Sequence, residues 1–205
     1  MKKLLFGLFA AVLLGGAGCS STPLPVEPTQ PPVTTPETPT TTPVVDLQVY
    51  KNVQYNFEFS YPKGLGFAAP NYANMDDKIV QVQLSADAYP GTNFRDGGVA
   101  VSVGAADVVN GCLGQSPIAN GKGFKNKTTI NGVEFYTDEG GDAGAGNFYV
   151  SKAYRTFHNS QCFEIVETIH TTNVANYPDG TVSEVVKEPI WSVLDGIVRS
   201  FKFNS

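Results

Sequence analysis

The chain has 205 residues, 14 basic against 19 acidic side chains, and a formal net charge of −5. That length suits one ordinary domain with accessory segments, and the acidic balance excludes electrostatic steering onto nucleic acid or anionic lipid surfaces. Beyond residue 18 the balance becomes 12 basic against 19 acidic, a net of −7, with no basic patch interleaved with aromatics of the kind single-strand binding needs.

Met1-Lys2-Lys3 opens the chain as a short positive stretch, and Leu4 to Leu14 is almost wholly apolar. Spanning a bilayer takes about 20 apolar residues, so this run reads as the hydrophobic region of an export signal occupying 1–18. It ends in Ala17-Gly18-Cys19-Ser20, which resembles the lipobox of bacterial lipoproteins. The resemblance implies diacylation of Cys19, a membrane held through that lipid, and an extracytoplasmic place in the bacterial cell envelope. With Ser20 rather than Asp after the cysteine, it also implies the outer membrane in a Gram-negative cell. Ordinary signal cleavage near Ala17 is the alternative, and it would leave Cys19 lost or a loose thiol.

Residues 19–45 follow as a tether. Pro and Thr fill most positions, as in Pro31-Pro32-Val33-Thr34-Thr35-Pro36, with little charge beyond Glu27 and Glu37, so no core can form. In extended polyproline form, at about 3.1 Å per residue, this length reaches at most ~80 Å.

The domain is expected over 46–205. Tyr55 to Tyr61 alternates large aromatic with polar, Val80 to Leu84 and Val99 to Val103 alternate again, and each reads as a half-buried strand. Asn131-Gly132 between two such runs predicts a two-residue hairpin turn. Phe148 to Phe157 and Cys162 to Thr171 form a further pair around His158-Asn159-Ser160. Pro189 then opens a helix whose Ile190, Val193, Leu194, Ile197 and Val198 fall on one face. Phe201-Lys202-Phe203 resumes strand alternation, and a short helical turn is expected near Ala105 to Gly111. The fold class is therefore α+β, an antiparallel sheet packed by helices with a C-terminal helix followed by a short strand.

Tyr50-Lys51-Asn52-Val53-Gln54-Tyr55-Asn56-Phe57-Glu58-Phe59-Ser60-Tyr61-Pro62 resembles the opening of PsbP-like domains of bacterial lipoproteins. Trp191 to Phe203 is similar to their closing helix and strand. The resemblance brackets the domain and leaves its middle unmatched. It implies an antiparallel sheet between helices, in a family without a common enzymatic activity.

Cys112 and Cys162 are the remaining cysteines, and in an exported compartment their expected state is one disulfide; two buried thiols are the alternative. Asp138, Glu139 and Asp142 lie among Gly140, Gly141, Gly144 and Gly146, a mixture that suits a flexible hairpin connection or, less well, a calcium loop. The spacing fits no EF-hand, so these three are weak metal candidates and no cofactor is expected. His158, Cys162, Glu164 and His170 are close in sequence, but a hairpin puts His158 at its tip and His170 far along the returning strand, facing solvent. Trp191 is expected in helix–sheet packing. With two histidines, neither near a plausible nucleophile, a Ser–His triad has no support.

These residues suit a non-catalytic binding or structural module, with an envelope protein as its partner, ahead of a small-ligand carrier with a pocket between sheet and helix. An enzyme is the least supported reading. An apolar cavity of about 300 Å³ or more with polar groups in its lining favours the carrier; an exposed aromatic patch over a filled core favours the partner.

Overall fold

A computed structural model describes residues 46–105, 111–118 and 123–204. The expected export signal, Cys19 and the tether lie outside them.

Among the described residues, ten strands and one long helix build the domain. The first strands are β1 (Leu47–Asn52), β2 (Phe57–Pro62), β3 (Gly66–Ala68), β4 (Asp77–Ser85) and β5 (Phe94–Ala105). They are followed by β6 (Asn126–Ile130), β7 (Val133–Gly144), β8 (Asn147–His158), β9 (Gln161–Thr172), the helix α1 (Glu188–Ser200) and β10 (Lys202–Phe203). The strands divide into an antiparallel seven-stranded sheet of order β3-β4-β5-β9-β8-β7-β6 and a small sheet of order β1-β2-β10. This is an α+β fold.

The small sheet unites the two ends of the domain. Phe203 pairs with Phe57 and Lys202 with Glu58. Farther along β2, the Ser60 N–H donates to Ser200 Oγ at 2.7 Å instead of to a strand. The opening and closing segments singled out in the sequence therefore fold against each other.

Residues paired across an antiparallel ladder share a face. On one face of the large sheet, Val82, Val99, Val101, Phe163, Ile165 and Ile169 meet Phe57 and Phe59 of β2 and Ile190, Leu194, Ile197 and Phe201 of the helix, making the core. The helix delivers that stripe through its 3.6-residue period. Its last carbonyls are satisfied by Asn131, whose side-chain amide donates to Arg199 and Phe201 oxygens at 2.9 and 2.8 Å. Asn131 and Gly132 take the two positive φ values that the turn requires.

The opposite face is covered, among the described residues, by 69–76 from one side and 111–118 from the other. Gly111 and Cys112 are helical, while 106–110 of the expected turn lie outside the described residues. The floor beneath is small: Gly98, Ala100, Ser102, Gly104, Gly140 and Ala153. At Gly140 a side chain is excluded, because a Cβ there would stand 2.8 Å from the carbonyl oxygen of Ile118.

The stretch from Asp138 to Asn147 corrects the expectation of a flexible connection. Strand β7 continues to Gly144, paired throughout with β8, and only Ala145 and Gly146 turn, both at positive φ. Of its glycines, Gly140 admits the close approach of Ile118 and Gly146 makes the turn.

Candidate functional site

The most prominent recess is a groove of about 450 Å³ at the seam between the small sheet, α1 and β4. Its walls come from segments far apart in sequence. Leu65 and Leu84 face Val193 and Ile197 across it, while Leu47, 57% exposed, stands at the rim. Among the described residues no charged side chain lines it. The polar groups in its lining are hydroxyls. That of Ser200 is engaged, receiving the Ser60 N–H and donating to backbone oxygens of Ser60 and Ile197. The hydroxyls of Ser60, Tyr89 and Ser192 have no hydrogen-bond partner among the described residues. Burial raises the pKa of the Tyr89 hydroxyl. Gly196 lines the groove from the helix, and a Cβ there would meet nothing within 4 Å.

On the far side of its core stripe from the groove, the helix turns Trp191 and Asp195 to a charged cluster on the same side of the sheet. Lys152 on β8 is 2.6 Å from Asp195 Oδ1, and its ammonium lies 4.4 Å over the Trp191 ring. Its cross-strand neighbour Glu167 is fully buried. The Tyr154 hydroxyl donates to Glu167 Oε1 at 3.3 Å, while Oε2 has no hydrogen bond and stands 3.5 Å from the Lys152 ammonium. Burial, reinforced by the Asp195 carboxylate, pushes the Glu167 pKa up to about 8. The same burial and the charge of Glu167 raise the Tyr154 phenol. A carboxyl of raised pKa is thus kept under the helix. Sequence reading missed it, although a signal existed: Phe163, Ile165, Glu167 and Ile169 alternate onto one face, and an acid within an apolar stripe on a central strand cannot be solvated.

On the opposite face, Arg155 and Glu164 form a buried pair, with Nε and Nη2 each 2.7 Å from Oε2. Glu164 Oε1 receives the backbone and side-chain N–H of Asn74 at 3.1 and 3.0 Å. Arg155 Nη1 donates to the carbonyls of Cys112 and Gln115 at 3.3 and 3.1 Å. Beside it Cys112 and Cys162 are joined as a disulfide, their Cα atoms 5.5 Å apart. Pair and disulfide together staple both covering segments to the sheet.

His158 and His170 lie at opposite ends of their hairpin. His158 ends β8 and stacks on Phe203 at 3.8 Å. His170 is not solvent-facing as expected: it stacks on Tyr149 at 4.3 Å, with Nδ1 3.1 Å from Asp96 Oδ2 and Nε2 2.9 Å from Asn147 Oδ1. The Tyr72 hydroxyl donates to the other Asp96 oxygen. Both imidazole nitrogens are thus engaged, and the cluster fastens residues 69–76 rather than presenting a base.

The three weak metal candidates are not brought together. Asp138 and Asp142 alternate onto the stapled face and Glu139 onto the other. Four residues along a strand separate the two aspartates by about 13 Å. Asp138 is buried, which pushes its pKa up, but Ser116, Lys125 at 3.2 Å and the Glu139 backbone outweigh this and hold it below the ordinary value. Trp191 sits half-buried at the helix–sheet contact, as its position in the helix implies.

No family model matches the chain, and no curated protein matches it. Among solved structures it is similar to cyanobacterial PsbP (CyanoP) from Synechocystis, with 13% identity and a TM-score of 0.42 over 78% of this chain and 94% of that one. It is also similar to a protein of known crystal structure from Bacteroides thetaiotaomicron, with 11% identity and a TM-score of 0.44 over 77% of this chain. The match spans 48%, about half, of that protein's length.

Proposed function

We propose that this chain is a lipid-anchored, PsbP-like module of the bacterial cell envelope that binds a small apolar ligand without transforming it. The observation that carries the ligand is the groove: about 450 Å³ of apolar recess between helix and sheets falls within the 300–1,000 Å³ range of small-molecule sites. The exported setting is supported by the lysine-led apolar segment, by Ala17-Gly18-Cys19, and by a disulfide in the folded domain. The PsbP-like reading is supported by the contact of the two resembling segments in one small sheet. A non-catalytic role is supported by the engagement of both His170 nitrogens and by the absence of charged groups from the groove lining.

The test is binding of the uncharged probe N-phenyl-1-naphthylamine to the full chain, read as fluorescence enhancement. Wild type is expected to bind in a saturable manner and Gly196→Phe, which fills the groove, to lose that binding with its melting temperature kept. Probe binding unchanged in Gly196→Phe refutes the groove as the site.

A protein partner is the second reading. Phe148, Val150 and Val174, exposed together around a shallow recess on the helix-bearing face, favour it. A photo-crosslinker at Val150 that yields no discrete adduct in envelope preparations removes this reading.

A further inference from the structure

The groove's chemistry narrows what enters it. Resting on the groove reading above, we propose that the ligand is electrically neutral, an aliphatic body ending in a hydroxyl, ester or carbonyl, and not a fatty-acid anion. A carboxylate drawn into an apolar recess loses its water and needs a cation or several donors in exchange. This recess offers no Lys, Arg or His. The Ser60 N–H in its wall gives nothing either, since it is already donated to Ser200 Oγ. What the lining does offer is three hydroxyls, from Ser60, Tyr89 and Ser192, without partners among the described residues. A hydroxyl can donate or accept, so each suits a neutral oxygen function without fixing its charge. The rest of the wall, Leu65, Leu84, Val193 and Ile197, suits a flexible hydrocarbon body. Apolar body and neutral polar end are therefore matched to this lining by the same criterion, the absence of any compensating charge.

The experiment displaces N-phenyl-1-naphthylamine from the full chain at pH 7.5 with 1-dodecanol and, separately, with dodecanoate. Because the alcohol also leaves water more readily, the ratio of the two midpoints is compared between wild type and Ser192→Lys, which places an ammonium on the groove wall. Wild type is expected to favour the alcohol at least tenfold, and Ser192→Lys to shrink that ratio at least tenfold by strengthening dodecanoate. Equal midpoints in wild type, or a ratio unmoved by Ser192→Lys, overturn the neutral-ligand inference while leaving the groove as a site. Failure of 1-dodecanol to displace the probe, or probe binding undiminished in Gly196→Phe, overturns the groove itself and this inference with it.

Discussion

Glu167→Gln should make the protein more stable at alkaline pH and leave it nearly unchanged at pH 5. The buried carboxyl has its pKa raised from 4.5 to about 8 by burial and by Asp195. A group whose pKa is raised on folding favours the folded state fully below its unfolded value. That contribution is lost as pH rises through the folded value, because the folded chain must then bury an anion. At about 1.4 kcal/mol per pH unit, the interval from 4.5 to about 8 sets a ceiling of about 5 kcal/mol on the loss, of which about 3 is reached by pH 7. Glutamine matches the protonated side chain in shape and has no proton to lose. It leaves the Lys152–Asp195 pair in place and can still accept from Tyr154. Urea unfolding of both proteins at pH 5, 7 and 9 measures the difference. The variant should gain little at pH 5, within about 1 kcal/mol, and several kcal/mol by pH 9, with equal denaturant slopes. Parallel pH profiles, or a variant less stable at every pH, would show that Glu167 is ionised and held by Lys152, and the proton under the helix would have to be given up.

Replacing Cys112 and Cys162 together by Ser should cost about 4 kcal/mol, from the chain-entropy cost of opening a loop of 50 residues, and non-reducing peptide mapping should find the two peptides joined. Arg155→Ala should cost about 3–5 kcal/mol, because Glu164 is left charged and buried; a loss under 1 kcal/mol measured by urea unfolding would contradict the buried pair. Gly196→Ala should raise stability by up to about 1 kcal/mol, since a helical glycine with nothing near its Cβ position gains propensity without a clash, and thermal melts would show it. Alkyne fatty-acid labelling of cells should mark wild type and spare Cys19→Ala, and equal labelling of the two would refute lipidation there.

Much of the frame was legible because large apolar residues recur at a fixed period: on β2, β4 and β5 they alternate with polar or small residues and on the helix they recur every three or four, although β5 and β9 are buried on both faces. Strand β1 escaped because its apolar Leu47 and Val49 point away from the core and stay more than half exposed, so alternation there does not report burial. Strand β3 is three residues long, too short for any period. The run from Asp138 to Gly144 misled for a different reason. Glycine and aspartate lower strand propensity, but pairing with β8 along the full length and the need to let Ile118 lie close over Gly140 overrode that preference. Asp138 and Asp142 then share a face only at a distance, and the loop chemistry their composition suggested has no loop to act in.

The groove was illegible for a reason that bears on its use. Leu47, Leu84 and Ile197 come from three separate elements and Leu65 from the connection between β2 and β3, and no local spacing marks the place where they meet. It is a seam left where a small sheet and a helix share the cover of a larger sheet, and α1 stands on both of its consequences. Around the helix, Ile190, Leu194, Ile197 and Val198 enter the core, Val193 and Gly196 line the groove, and Trp191 and Asp195 face the buried proton of Glu167. A seam of this kind can widen only if the helix shifts on the sheet. On the other face the disulfide and the Arg155–Glu164 pair bind the cover to the sheet beside a recess of about 380 Å³ whose lining is mostly polar or small. On the helix side, burying the ionised Glu167 carboxylate opposes close packing of the helix on the sheet. If the groove binds as proposed, Glu167→Gln should alter probe affinity at pH 9 far more than at pH 5, through the helix alone, since Glu167 does not line the groove. Affinity that responds equally at both values would show the helix to be a fixed wall and uncouple the two sites.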